Sequence, residues 1–145
     1  MPTTDELRYD HEVLRGKLFL LEEHLPCLCV ARLTLLSIVN SLSAWLLLHT
    51  QREERAFAAR ATERPIADLL KQLEDAHDRQ LSRLAVLHEL IRRAGPDNYD
   101  YVLAATKALL QDFRQQMAQE ELECFPALDR APEEGAEQFA EGLWA

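Results

Sequence analysis

The chain has 145 residues, of which 48% are hydrophobic, with only four glycines and six prolines. This length fits one domain with its own core, and the composition excludes a disordered or collagen-like chain and favours a helical bundle. The 25 acidic and 16 basic residues give a net charge of -9 with no basic stripe, so we expect no nucleic-acid partner.

The first helix is predicted from about Thr4 to Leu25, with Thr3 or Thr4 as its cap and Pro26 at its end. The second is predicted from Leu28 or Arg32 to Arg60. Both carry an inner stripe at helical spacing, made of Leu7, His11, Leu14, Leu18, Leu21 and Leu25 in the first and Leu35, Val39, Leu42, Trp45, Leu46, His49, Glu53 and Phe57 in the second.

An uncharged run in the second helix, from residue 33 to residue 51, approaches the length that crosses a membrane. The run is interrupted by five polar residues, Thr34, Ser37, Asn40, Ser41 and Ser43. We therefore predict a bundle helix that is apolar around most of its circumference, and no membrane partner. Its second apolar face is expected to pack against another subunit, which would make a homodimer through this helix.

The third helix is predicted from Pro65 to a break at Gly95 and Pro96, and the fourth from Asp97 or Asn98 to about Phe125, where Pro126 ends or kinks it. Their inner residues are Ile66, Leu69, Leu70, Leu73, His77, Leu81, Leu84, Leu87 and Ile91, then Val102, Thr106, Leu109, Leu110, Phe113, Gln116, Met117, Glu120 and Cys124. We therefore divide the chain into a bundle over residues 1–131 and an acidic tail over 132–145, which either docks as a short helix or frays.

Cys27, Cys29 and Cys124 form no zinc pattern, and an odd number of cysteines fits a reducing compartment. We interpret them as small hydrophobic residues, with a redox role left open for Cys27 and Cys29 beside Pro26. The N-terminal segment lacks the charged start and apolar centre of an export signal, so a cytoplasmic location is expected.

Five side chains of metal-ligand type interrupt the inner stripes at matching heights: His11, His49, Glu53, His77 and Glu120. His49 and Glu53 are four residues apart and share one helical face, and Gln116 and Glu120 repeat that spacing with glutamine in place of histidine. The interval from His11 to His77 is 66 residues and that from His49 to Gln116 is 67, so each half of the chain reads as one helical hairpin.

Carboxylates and imidazoles in an apolar core are costly unless a cation compensates them. Imidazole and carboxylate without thiolate suit iron or manganese better than structural zinc, and Glu53 and Glu120 are placed to bridge two metals. His24 lies off the inner face and His88 is three turns beyond His77, so neither is predicted to be a ligand.

These residues resemble the hemerythrin-like, or HHE cation-binding, domains over about residues 5 to 130. The resemblance is carried by Asp10-His11-Glu12, by His49 with Glu53 and Glu54, by His77, and by the ending Gln116-x-x-x-Glu120-Glu121-x-x-x-Phe125-Pro126. It implies an all-α, up-down-up-down four-helix bundle that holds two non-haem irons bridged by carboxylates and an oxygen species. It does not imply one activity.

By the same resemblance, one iron would take His11 and His49, the other His77 and the residue at position 116, with Glu53 and Glu120 shared. Gln116 is a poorer ligand than histidine, and Leu81 stands where oxygen carriers would offer a further ligand. The second iron is therefore expected to have an open position.

An open position favours chemistry at the second iron over simple oxygen storage. The leading interpretation is a di-iron protein that binds or reacts with a small ligand, oxygen, peroxide or nitric oxide, in sensing, detoxification or iron handling. Two alternatives stay open. One is a metal-free interaction or scaffold module, and the other is a single metal held by His11, His49, Glu53 and His77.

Overall fold

The computed structural model describes residues 2–130, which fold as four long helices, α1 (Thr4–His24), α2 (Arg32–Ala58), α3 (Arg64–Arg92) and α4 (Tyr99–Gln119). One π-helical turn (Glu120–Cys124) continues α4 into the short helix α5 (Phe125–Asp129). No strand occurs between residues 2 and 130, and the helices pack as a bundle, which confirms the predicted fold class. The predicted acidic tail, 132–145, lies outside the described residues.

The helix ends follow from local chemistry. Thr3 caps α1 in a reciprocal pair, because its side chain accepts from the backbone N–H of Glu6 and its own N–H donates to the Glu6 carboxylate. Helix α1 ends at His24, and Pro26 lies in the short 3₁₀ turn that follows, Leu25–Cys27. Pro65 stands in the first turn of α3, where helical hydrogen bonding does not need its N–H. Asn98 closes the last connection by accepting from the backbone N–H of Gly95.

The buried apolar residues form two clusters along the bundle. The larger packs all four long helices around residues such as Leu14, Leu42, Leu84 and Phe113. The smaller lies towards the other end of the bundle and contains Leu7, Phe57, Ile66, Leu73, Cys124 and Phe125. The predicted inner stripes are therefore the core, with the exception of a few positions such as Trp45, which is only partly buried.

Two details differ from the prediction. Cys27 and Cys29 are exposed in the connection after α1, so only Cys124 behaves as a small buried hydrophobic residue. Pro126 does not end the fourth helix, because it lies in the first turn of α5, where helical hydrogen bonding does not need its N–H. Helical structure therefore continues from Tyr99 to Asp129. The departure from regular α-helix lies before Pro126, in the π turn at Glu120–Cys124.

Helix α2 is long and apolar enough to cross a membrane when judged by length and composition alone, with a mean hydropathy of 1.4. The core helix of a soluble bundle passes the same test, and α2 packs against both α1 and α3 here. Its outward side still exposes Leu33, Leu47 and Leu48.

Candidate metal centre

Five predicted donors meet inside the bundle, between the two apolar clusters. His11 comes from α1, His49 and Glu53 from α2, His77 from α3 and Glu120 from the start of the π turn. All are 0–2% exposed. They sit on the inward stripe of each helix, so the same periodicity that buries leucines above and below them also buries these polar groups.

Four of these donors form a close set on one side of the centre. His11, His49, Glu53 and Glu120 each offer one atom, and the four atoms lie within 4.8 Å of one another. The two histidine Nε2 atoms are 3.1 Å apart, His11 Nε2 lies 3.0 Å from Glu120 Oε1, and His49 Nε2 lies 2.7 Å from Glu53 Oε2. This set contains Glu120 where the single-metal alternative predicted His77.

His77 faces the same two carboxylates from the other side. Its Nε2 lies 3.7 Å from Glu53 Oε2 and 3.6 Å from Glu120 Oε2. Gln116 is half-buried beside it, and its amide N–H₂ donates to Glu120 Oε2 over 2.9 Å. The structure thus brings Gln116 to the centre through Glu120.

Each of the three histidines has a second carboxylate at its outer ring nitrogen. His49 Nδ1 donates to Asp10 over 3.1 Å. His11 Nδ1 lies 3.5 Å from Glu121, and His77 Nδ1 lies 3.5 Å from Glu54. We call Asp10, Glu54 and Glu121 the outer carboxylates. The hydrogen bond to Asp10 fixes the His49 tautomer that presents a bare Nε2 to a metal, which is the usual support of metal-binding histidine. The contacts of His11 and His77 at 3.5 Å bring a charge to Nδ1 without a regular hydrogen bond.

Two arginines neutralise outer carboxylates towards solvent. Arg15 makes a two-pronged ion pair with Glu121, one arm at 2.9 Å, and also binds Glu12 at 2.7 Å. Arg52 Nε lies 3.0 Å from Asp10 Oδ2. The arginines favour the ionised forms of Asp10 and Glu121, and the pKa of Glu121 is lowered chiefly by its hydrogen bond from Arg15.

The buried charges are strongly coupled. Burial disfavours the imidazolium of His49, but hydrogen bonds to Asp10, Glu120 and Glu53 outweigh it and raise its pKa to about 11. Burial, together with the neighbouring Glu120 carboxylate, raises the pKa of Glu53 to about 8. Burial also opposes ionisation of Glu120, yet hydrogen bonds from the three histidines hold its pKa well below the usual range. In the metal-free chain, protons on His49 and Glu53 therefore reduce the net negative charge of the buried cluster.

The donors fit a metal ion. Neither carboxylate oxygen of Glu53 has a hydrogen-bond partner of regular geometry among the described residues, and the same holds for Nε2 of His77. Unpaired polar atoms in a core are costly, and a cation with imidazole and carboxylate ligands would satisfy them together. Cys124 is the one buried cysteine among the described residues, and burial raises its pKa to about 12, which disfavours the thiolate. A donor set of imidazoles and carboxylates without thiolate suits iron or manganese better than thiolate-bound zinc.

A four-helix bundle with histidine and glutamate from facing helices at its middle is the architecture of the bundle metalloproteins. A family model described as Hemerythrin HHE cation binding domain matches residues 3–137 of this chain. The chain belongs to this family, and the cation-binding description agrees with the buried donor set. No curated protein and no solved structure matches the chain in the corresponding searches.

The inner donors are evident in the sequence, but the partners of the outer carboxylates are not. In the sequence, Asp10, Glu54 and Glu121 appear only as parts of the motifs that carry the family resemblance. Each outer carboxylate directly neighbours an inner donor in the sequence, and this adjacency is the feature of the sequence that could have indicated its role. Tyr9 and Tyr101 are 67% and 64% exposed, in keeping with positions away from the centre.

Proposed function

We propose that this chain is a non-haem di-iron protein whose buried centre binds or reacts with oxygen, peroxide or nitric oxide in sensing, detoxification or iron handling. The observation that supports it is the placement of Glu53 and Glu120 between imidazole Nε2 atoms on two sides, His11 and His49 on one and His77 on the other. Two shared carboxylates with imidazoles on both flanks are a ligand set for two metals.

In this proposal His11 and His49 would hold one iron and His77 the other, Glu53 and Glu120 would be shared, and Gln116 would be at most a weak ligand on the His77 side. Bound iron would supply Lewis acidity and a change of redox state. The chain's own residues do the rest, since the outer carboxylates hold the imidazoles in one orientation and the two apolar clusters exclude water along the bundle axis.

The amide of Gln116 already binds Glu120, so it offers little to a metal beside His77. That side is proposed to carry the open position where a small ligand binds. The carboxylates serve as ligands and not as general acids, because both lie among donors at the core.

Metal content per chain, measured together with an optical spectrum after anaerobic loading with ferrous iron, tests the proposal. Close to two irons and new near-ultraviolet absorption on oxidation are expected. A chain without bound metal would instead fit the scaffold alternative, and the proposal would then be wrong.

A single-metal centre is the second candidate, favoured by the four donors within 4.8 Å that exclude His77. His77→Ala separates the two candidates. Under the di-iron proposal this variant should lose about half of the bound metal and weaken the remainder, since Glu53 and Glu120 lose a neighbour. Under the single-metal candidate its metal content should stay at one per chain, as in the wild type.

A further inference from the structure

A groove lies between α3 and α4 at the level of the metal centre. Two cavities of about 270 and 240 Å³ open along it, and both are lined by Ala76, Arg79, Gln116 and Gln119. Because they share these four residues, they are parts of one surface feature, the α3–α4 groove. Arg79 and Gln119 are exposed, so its outer rim is in solvent.

The inner end of this groove reaches the centre. Gln116 lines both cavities and donates to Glu120 Oε2, the oxygen that lies 3.6 Å from His77 Nε2. Ala76 stands immediately before His77 and is 6% exposed. Gln116 therefore connects the groove to the ligand set, and the small Ala76 side chain leaves space beside it.

Hydrophobic side chains fill other approaches to the centre. Apolar clusters close the bundle axis in both directions, with Leu14 and Met117 in one and Leu7 and Phe57 in the other. Beside them, the Phe125 ring lies 5.1 Å from the His11 ring. The α3–α4 groove, in contrast, reaches Gln116, whose amide donates to Glu120.

The groove is polar but not strongly charged. Its two cavities are lined by five glutamines, Gln72, Gln80, Gln115, Gln116 and Gln119. Its charged residues are of mixed sign, with three acidic ones, Asp75, Asp112 and Glu123, and two basic ones, Arg79 and Arg83. Amide side chains donate and accept hydrogen bonds. Such a lining matches a small neutral solute that does both, and it offers no concentrated field to select an anion.

We propose that the α3–α4 groove is the entry by which a small neutral hydrogen-bonding solute, of which hydrogen peroxide is the simplest, reaches the metal centre, and that Gln116 controls its inner end. The proposal rests on the proposed function, since it names the ligand class of the same centre. It assigns the amide of Gln116 to the ligand's path, in place of the imidazole that the helical repeat would put there.

The groove can be tested without metal, because Cys124 lines it and is 7% exposed. With Cys27 and Cys29 replaced by serine, Cys124 is the sole thiol. Its alkylation by iodoacetamide can be followed by mass spectrometry at a pH alkaline enough to ionise part of this buried thiol, whose pKa is raised to about 12. Ala76→Leu fills the groove and should slow alkylation several-fold. Ala108→Leu fills a separate cavity between the same two helices and should leave the rate unchanged.

The same pair of variants is then compared after iron loading, at equal metal content, by stopped-flow absorption with hydrogen peroxide. Ala76→Leu should slow the reaction and Ala108→Leu should not. Gln116→Leu keeps the size of the side chain and removes its hydrogen bonds, so it should slow the reaction with peroxide about fivefold more than the reaction with dioxygen, the usual worth of one neutral hydrogen bond.

Wild-type peroxide kinetics in Ala76→Leu would overturn the proposed entry and leave the di-iron proposal intact. Equal slowing of dioxygen and peroxide in Gln116→Leu would overturn the ligand class. If Ala76→Leu does not fold, Gln119→Trp obstructs the groove from its exposed rim with the same expectations. A chain that binds no iron would overturn both the proposed function and this inference, whatever the thiol rates.

Discussion

Orientation of the histidines depends on single carboxylates outside the ligand set. Asp10 is 5% exposed, accepts from His49 Nδ1 and is itself paired with Arg52. Burying a carboxylate for this purpose is costly, and the cost is offset because the pair fixes which nitrogen of His49 faces the metal.

Asp10→Asn is expected to weaken metal binding by about 10- to 100-fold, the usual effect of losing such a support. The amide can still accept from His49 but no longer balances its charge. Competitive titration against a chelator measures the change. The matched control is Asp78→Asn, since Asp78 also neighbours a ligand histidine but is exposed. Equal metal affinity of Asp10→Asn and the wild type would refute the orienting role.

At the same scale, the doublets Asp10-His11, Glu53-Glu54 and Glu120-Glu121 were visible in the sequence, but their partners were not. Periodicity assigns each residue to a face of its own helix. Which neighbouring histidine it meets depends on how two helices pack, and that is a property of the folded bundle. The inner donors were predictable because the apolar periodicity of each helix assigns them to its inner stripe.

At the scale of helices, the π turn at Glu120–Cys124 is the feature that sequence periodicity did not predict. Gln116, Glu120 and Cys124 keep a spacing of four, which looks like regular α-helix. A π turn adds a residue to the backbone hydrogen-bond ring without breaking that spacing, and such turns are frequent at functional sites. Here it begins at a metal-site carboxylate and directs Phe125 onto His11.

Insertion of one alanine after Leu122 should rotate the following residues by about 100° relative to Glu120, because the π turn already accommodates one extra residue and cannot absorb a second. Phe125 and Ala127 would leave their buried positions, so both the melting temperature and the metal content are expected to fall. Leu122→Ala is the control, because Leu122 is 77% exposed, and it should change stability by no more than about 0.5 kcal/mol. Calorimetry and metal analysis check both variants. Unchanged metal content in the insertion variant would show that the register of this turn does not affect the site.

For the molecule as a whole, the contacts between outer carboxylates and histidines follow the internal repeat of the chain, except for one contact that the repeat would predict and that the structure lacks among the described residues. Asp10 of α1 supports His49 of α2, Glu54 of α2 supports His77 of α3, and Glu121 supports His11 of α1. Helix α3 offers no such support to α4: position 116 is glutamine, and Asp78 beside His77 is exposed. The duplication predicted from the sequence thus appears in the supporting carboxylates as well, and its exception falls at Gln116.

Protonation of the centre couples metal binding to pH. The pKa of His49 is raised to about 11 and that of Glu53 to about 8 in the metal-free chain. At pH 7 both groups therefore carry a proton, and metal binds only their deprotonated forms. Each bound proton must be displaced, so metal affinity should rise with pH between 6 and 8, with release of at least two protons per chain, one each from His49 and Glu53. Burial opposes the imidazolium of His77, yet hydrogen bonding to Glu120 and the charges of neighbouring carboxylates raise its pKa as well, which adds to this release.

Titration of the metal-free protein with cobalt(II), in two buffers of different ionisation enthalpy, measures this proton release. Glu53→Gln removes one of the titrating groups, and this variant should release about one proton fewer as well as bind more weakly. The exposed carboxyl of Glu12 provides the control, since Glu12→Gln leaves the buried charges unchanged. Metal binding without proton release would mean that His49 and Glu53 are already deprotonated, and the centre's charge would then have to be balanced by groups outside the cluster.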